Sequence, residues 1–232
     1  MYRETMGGRR KVTSGQVRLA YEVSGAAGLP PMVLLHGLGE RSTGWAPVTA
    51  QFAECFRVFA LDLRGHGDSD WPGAYSFELM RDDVLGAIDE LCLSRITLVG
   101  HSMGGVVAYM IASQEPARIE RLIVEDASPP YVRDRAIPER PAASLDFDWL
   151  VVPAIIDQVN MGDATAWDRL SAITAPTLLI GGGSESHVPQ ENLAQVAARI
   201  PCCELVTIPG GHHVHSTSPA EFAAVVLRWL RA

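Results

Sequence analysis

The stretch Gly100-His-Ser-Met-Gly104 limits most sharply what this chain can fold into. Ahead of it, Arg95-Ile-Thr-Leu-Val99 is β-branched and apolar, the pattern of a buried strand. Behind it, Val106 to Ser113 is apolar nearly all round, as in a helix packed against a sheet. G-x-S-x-G between a strand and a helix implies a sharp turn with Ser102 at its apex. Gly100 and Gly104 carry no Cβ, so neighbouring backbone can pass close to the bend. Ser102 Oγ is then presented at the top of the sheet, over the positive end of the following helix. A chance glycine-rich turn has the same letters but lacks the strand before and the helix after.

The rest of the chain repeats the alternation. Val17 to Val23 alternates as an antiparallel strand should, hairpinned with Lys11 to Thr13 across Ser14-Gly15. Met32 to His36, Arg57 to Leu61, Arg121 to Glu125, Pro176 to Ile180 and Glu204 to Ile208 read as further apolar strands. Between them lie helical stretches: Trp45 to Phe52, a run from the N-cap Ser76 to about Leu91, Pro189 to Arg199 and Pro219 to Leu230. In the second of these, Leu79, Val84, Leu85, Ile88 and Leu91 are expected to face inward. Apolar strands alternating with helices predict an α/β fold with a mostly parallel central sheet covered on both faces. Residues 127–170 break the rhythm with five prolines and scattered aromatics, and Asp148 to Asn160 reads as a short helix with Pro153 near its first turn. The expected organisation is a core of 1–126 and 171–232 with a short cap insertion at 127–170.

Composition closes off other classes. With 47% hydrophobic and 20% charged residues, the chain is an ordinary soluble globular protein. A net charge of −8 argues against nucleic-acid and anionic membrane partners. The N-terminus has basic residues without an apolar run behind them, so no secretory leader is read there, and no stretch is long enough for a membrane span. Cys55, Cys92, Cys202 and Cys203 show no C-x-x-C spacing, which points to reduced thiols and a cytoplasmic protein. Nothing in the sequence specifies an oligomeric state.

A serine hydroxyl needs a base to act as a nucleophile. Among the histidines, the group in Pro209-Gly-Gly-His-His-Val-His215 lies just past a terminal strand, at the carboxyl edge where Ser102 stands. His212 directly follows the glycines and is the expected base, with His213 and His215 structural. A metal reading of this His-His-x-His loop lacks the carboxylate spacing of known zinc patterns. Two carboxylates compete to orient the base. Asp126 ends a buried strand and Glu185 sits in the glycine-rich loop one strand later; role requirements favour Asp126 and leave Glu185 as the alternative. Glu125 would point away by alternation. The backbone N–H groups of Met103 and Leu38 are the expected oxyanion donors. The charged loop Asp62 to Ser69 is read as a hydrogen-bonded brace beside the site.

With those residues in place, the chain resembles the α/β-hydrolase fold family. Leu35-His-Gly-Leu-Gly39 resembles its oxyanion turn, Asp62-Leu-Arg-Gly-His-Gly-Asp-Ser69 its following loop, Gly100 to Gly105 its nucleophile elbow and Gly211-His212 its base loop. The order Ser…Asp…His agrees, and the lack of an Asp after Ile180 resembles a branch of small serine esterases whose acid stands at Asp126. That resemblance implies no cofactor and a small-molecule ester-like substrate cleaved through an acyl-enzyme, with no metal read from the residues; the chain departs from the family in a cap shorter than usual and in Glu185. It leaves as alternatives a lactonase, a carbon–carbon bond hydrolase, a cofactor-free haloperoxidase or perhydrolase, and a non-catalytic ligand-binding protein. Ser102 argues against epoxide hydrolases and dehalogenases, which carry Asp at the elbow.

Overall fold

The computed structural model describes residues 9–232, so the reading of a leaderless N-terminus at residues 1–8 lies outside it. The alternating apolar pattern resolves into one sheet with strand order β1-β2-β4-β3-β5-β6-β7-β8. Strands β1 (Arg10–Ser14) and β2 (Val17–Ser24) form an antiparallel hairpin, and β2 lies antiparallel on β4 (Arg57–Leu61). The remaining pairings, through β3 (Pro31–Leu35), β5 (Ile96–His101), β6 (Ile119–Glu125), β7 (Thr177–Gly181) and β8 (Cys203–Thr207), are parallel. Ser14 pairs with Val17, so the tight turn is Gly15-Gln16, one residue later than the sequence suggested.

Period-two alternation explains the two layers. Val33, Leu35, Leu98, Leu122, Val124 and Leu179 point into one core, while Met32, Leu34, Val99, Ile123, Leu178 and Ile180 point into the other. Helices α1 (Ala46–Phe52) and α8 (Pro219–Leu230) cover the second face. Helices α2 (Phe77–Glu90), α3 (Met103–Gln114) and α6 (Gln190–Arg199) cover the first. Ser76 caps α2 by accepting a hydrogen bond from Leu79 N.

The buried face of α2 differs from the expected one. Phe77, Met80, Val84, Ala87 and Ile88 are buried, whereas Leu79, Leu85 and Leu91 are only partly covered. The cause is Asp83, buried on that face so that it can meet Arg64 in a two-pronged ion pair (Nη2 to Oδ1 2.7 Å). Hydrophobic periodicity counts Asp83 as solvent-facing and so rotates the helix.

The irregular segment holds α4 (Val151–Met161), with Pro153 inside its first turn, and a further helix, α5 (Ala164–Arg169), that the sequence did not suggest. It is tied to the Asp62–Ser69 loop by Gly67 N to Asp146 O (2.7 Å) and Asp148 N to Gly65 O (2.8 Å). A short helix α7 (Val214–Thr217) follows the histidine-rich loop. The four cysteines are free, and no helix of the described residues is long and apolar enough to cross a membrane.

Candidate active site

Strand β5 ends at His101 and α3 begins at Met103, so Ser102 alone makes the corner, at φ 50° and ψ −114°. Such a conformation costs a non-glycine residue about 1–3 kcal/mol and must be held from outside. Ser102 N donates to Glu125 O (3.1 Å) and Gly104 N to His36 O (3.1 Å). A Cβ on Gly100 would run into the Gly104 carbonyl, and one on Gly104 into the Leu35 carbonyl. Glycine at both positions lets the backbone close around the strained serine.

Three distant loops meet at the carboxyl edge. Ser102 Oγ lies 2.9 Å from His212 Nε2, and His212 Nδ1 lies 2.7 Å from Asp126 Oδ2. A carboxylate accepts only, so Nδ1 carries the proton and Nε2 is left as the acceptor facing the hydroxyl. Asp126 is fully buried. Burial pushes its pKa up, but hydrogen bonds from His212, Ser186 and Gly182 outweigh that and hold the carboxyl below its usual range. Glu185, the alternative carboxylate, is exposed, and the acid that touches the imidazole is Asp126.

Glu125 does point the other way. Its carboxylate accepts from His215 N (2.8 Å) and lies 2.7 Å from His215 Nδ1, both side chains being buried. This pair anchors the loop that carries His212. Burial pulls the His215 pKa down, but the hydrogen bond and charge of Glu125 outweigh it, and the value is raised. A raised folded-state pKa gives stability that is complete below the unfolded value near 6.5 and lost as pH rises through the folded one. The wild type should therefore exceed Glu125→Gln in unfolding free energy by about 1.5–3 kcal/mol at pH 6. Denaturant titrations from pH 5.5 to 9 should show that margin shrinking as pH rises. A margin that grows with pH would refute the assignment.

The turn facing Ser102 explains which amide is free. Gly37 N donates to Glu40 Oε2 (2.9 Å), Gly39 N to His66 Nε2 (3.1 Å) and Glu40 N to Gly37 O (3.3 Å). Leu38 N is the amide of that turn with no partner among the described residues. Met103 N, at the first position of α3, has no carbonyl of its own helix to bond. Both residues line a cavity of about 70 Å³ together with Ser102. The turn is braced by buried histidines: His36 Nε2 accepts from Leu63 N (2.9 Å), and His66 Nδ1 donates to Arg64 O (3.0 Å). Burial lowers the His36 pKa, and burial with the neighbouring His36 pushes His66 down to about 3, so both stay neutral. Asp62 accepts from Ser42 N (2.7 Å) and Asp68 N (2.9 Å), which makes its loop the brace read from the sequence.

Several site residues had escaped sequence reasoning. Ser186 donates to Asp126 Oδ2, Gln190 Nε2 approaches Oδ1 at 3.4 Å, and the His187 ring packs 4.0 Å from that of His212. Burial, His212 and Arg135 push His187 down to about 4. None stands in a recognisable spacing; only their place in the loop after β7 hints at the site. For a metal, Glu40, His101 and His213, or His101, Glu125 and His215, bring ligand-type atoms within 4.8 Å of one another, although Glu125 and His215 already bond each other. The Ser102 cavity shares Phe77, Val106, Pro129 and Pro130 with a second, mostly apolar one of about 220 Å³, lined also by Tyr109, Met110 and Leu170 and by the charged Glu78, Asp163 and Arg169. A hydroxyl, an oriented imidazole and two unclaimed amides beside an apolar chamber can do acyl-transfer chemistry.

Several known proteins are similar to this chain along most of its length. A family model described as the alpha/beta hydrolase family matches residues 32–225. The mouse sn-1-specific diacylglycerol lipase ABHD11 is 30% identical over 91% of this chain and 85% of its own. A crystal structure of a hydrolase from Pseudomonas aeruginosa PA01 superposes with a TM-score of 0.85 at 26% identity, covering 98% of this chain and 100% of that one. A thermophilic esterase from Thermogutta terrifontis, solved with malate bound, gives 0.80 at 27% identity, over 97% and 98% of the two chains.

Proposed function

Because this chain belongs to the α/β hydrolase family, we propose that it is a serine hydrolase of small or medium carboxylic esters. The observation that carries the reading is the unbroken line from Ser102 Oγ through His212 to Asp126, at 2.9 and 2.7 Å. Ser102 Oγ attacks the ester carbonyl carbon while His212 Nε2 takes its proton. The N–H groups of Leu38 and Met103 bind the developing oxyanion. Collapse breaks the bond to the leaving oxygen, which receives the proton from His212 and departs as an alcohol. Water then enters, gives a proton to His212 and attacks the acyl-enzyme, and a second collapse returns the proton to Ser102 as the carboxylic acid leaves.

Residues 127–170 act as the cap over the core of 1–126 and 171–232, with α4 as its roof. The apolar chamber beside Ser102 supports a short or medium acyl chain as the bound group. Four free cysteines support a reducing, cytoplasmic setting. No cofactor enters the scheme.

A fluorophosphonate probe should label Ser102 stoichiometrically, read by intact mass and peptide mapping, and block hydrolysis of p-nitrophenyl acetate and butyrate in parallel. Labelling elsewhere would move the nucleophile away from Ser102, and tight ligand binding with neither labelling nor hydrolysis would replace an enzyme with a binding protein of this fold. Peroxide-dependent bromination faster than ester cleavage would move the reaction to the perhydrolase class.

A further inference from the structure

We propose that the substrate's leaving group carries an anion, a carboxylate or phosphate, bound by the guanidinium groups of Arg133 and Arg135; this rests on the ester-hydrolase reading. Both arginines line the cavity that holds Ser102, and Arg135 also lines the adjoining cleft with His212. Neither pairs with a carboxylate among the described residues, and they are the two arginines that line that cavity. In a chain of net charge −8, acids to pair with are abundant. Arg133 is half-buried and Arg135 exposed, so each leaves guanidinium N–H groups beside the nucleophile for an anion to meet.

The Arg133 side chain and the backbone that carries Arg135 are also held in place. The Arg133 guanidinium lies 4.9 Å over the Tyr131 ring and donates to its hydroxyl (3.3 Å), while Arg133 Nε is buried with no partner. Arg135 has its backbone clamped from both sides by the Asn160 amide, at 2.9 Å for each bond, which ties the segment to α4. A planar guanidinium with free N–H groups matches carboxylate and phosphate oxygens.

The charge belongs on the leaving group because of where the arginines sit relative to the base. Both line the Ser102 cavity together with His187, whose ring packs against His212, and Arg135 also lines the cleft that holds His212 itself. His212 is the group that hands a proton to the departing oxygen. The apolar chamber through Phe77 and Val106, toward Tyr109 and Met110, takes the acyl chain instead.

The test compares 4-carboxyphenyl butyrate with its methyl ester, which share acyl group and shape, each rate corrected for its own hydroxide reaction. The wild type should favour the anionic ester by about 10- to 100-fold in kcat/KM, chiefly through KM, and less so at high salt. The ratio should fall in Arg133→Gln and in Arg135→Gln and approach one when both are replaced, with melting curves confirming folded protein. Arg135 is exposed, so its variant keeps the test sound if Arg133→Gln misfolds. A ratio of one or below in the wild type, or one unmoved by either replacement, overturns the proposal while ester hydrolysis stands. Preference for phenyl hemisuccinate over phenyl butyrate, without preference among leaving groups, puts the charge on the acyl side and overturns it too. Should no ester be cleaved, the hydrolase reading fails separately. Calorimetry of 4-hydroxybenzoate with Ser102→Ala protein then decides, since binding that does not depend on Arg133 and Arg135 also refutes the anion site.

Discussion

Ser102→Ala lowers kcat for p-nitrophenyl butyrate by about 10⁶, the loss seen when a serine hydrolase surrenders its nucleophile. The size follows from what Ala leaves behind. The amides of Leu38 and Met103 and the apolar chamber stay in place, so binding and oxyanion stabilisation still leave about 10³–10⁴ over the reaction in water. The covalent route itself is gone, because no other hydroxyl among the described residues hydrogen-bonds to His212 Nε2 as Ser102 does at 2.9 Å. Stability should not fall with activity. Ser102 is held at φ 50°, a conformation as awkward for alanine as for serine, while glycine adopts it freely. Ser102→Gly should therefore be as inactive as Ser102→Ala and about 1 kcal/mol more stable than the wild type. Steady-state rates with purified variants and denaturant curves on the same samples check both halves. Ester hydrolysis that survives either replacement at more than about a thousandth of the wild-type rate would remove Ser102 from the chemistry.

Much of this was legible in the sequence because it depends on short-range rules. A β-branched run into G-x-S-x-G and then an apolar helix fixes the corner at Ser102, and alternation along β6 already separates Asp126 from Glu125. Order along the chain and the carboxyl-edge rule bring His212 to Ser102. What stayed hidden depends on partners far apart in sequence. Asp83 looked like a surface residue of α2 because nothing local announces Arg64, its buried partner. Ser186 and Gln190 reach Asp126 from the loop after β7 and the start of α6, a contact set by how that loop folds back. Nothing local in the sequence singles out Arg133 and Arg135, which line the cavity with Ser102 only once the chain is folded. Helix α5 is too short for periodicity to register.

Asp126→Asn should cost about 10⁴ in kcat with little change in KM, while Glu185→Gln leaves both unchanged. The cost arises from hydrogen-bond polarity, not lost charge alone. One oxygen of Asp126 accepts from Gly182 N at 3.0 Å, and a backbone N–H cannot switch to accepting. An asparagine must therefore turn its carbonyl toward Gly182 and its amide N–H toward His212 Nδ1. Ser186 does not oppose this, since its hydroxyl can rotate to accept. His212 then takes the tautomer with its proton on Nε2, which faces Ser102 and can no longer receive a proton from it. Substrate still enters, so KM holds; the first proton transfer is what fails. A histidine proton resonance bonded to the carboxylate in the wild type should vanish in Asp126→Asn and persist in Glu185→Gln. Greater loss in Glu185→Gln than in Asp126→Asn would transfer the orienting role to the exposed carboxylate. It would also require the loop after β7 to rearrange during turnover, because Glu185 makes no contact with the imidazole where it stands.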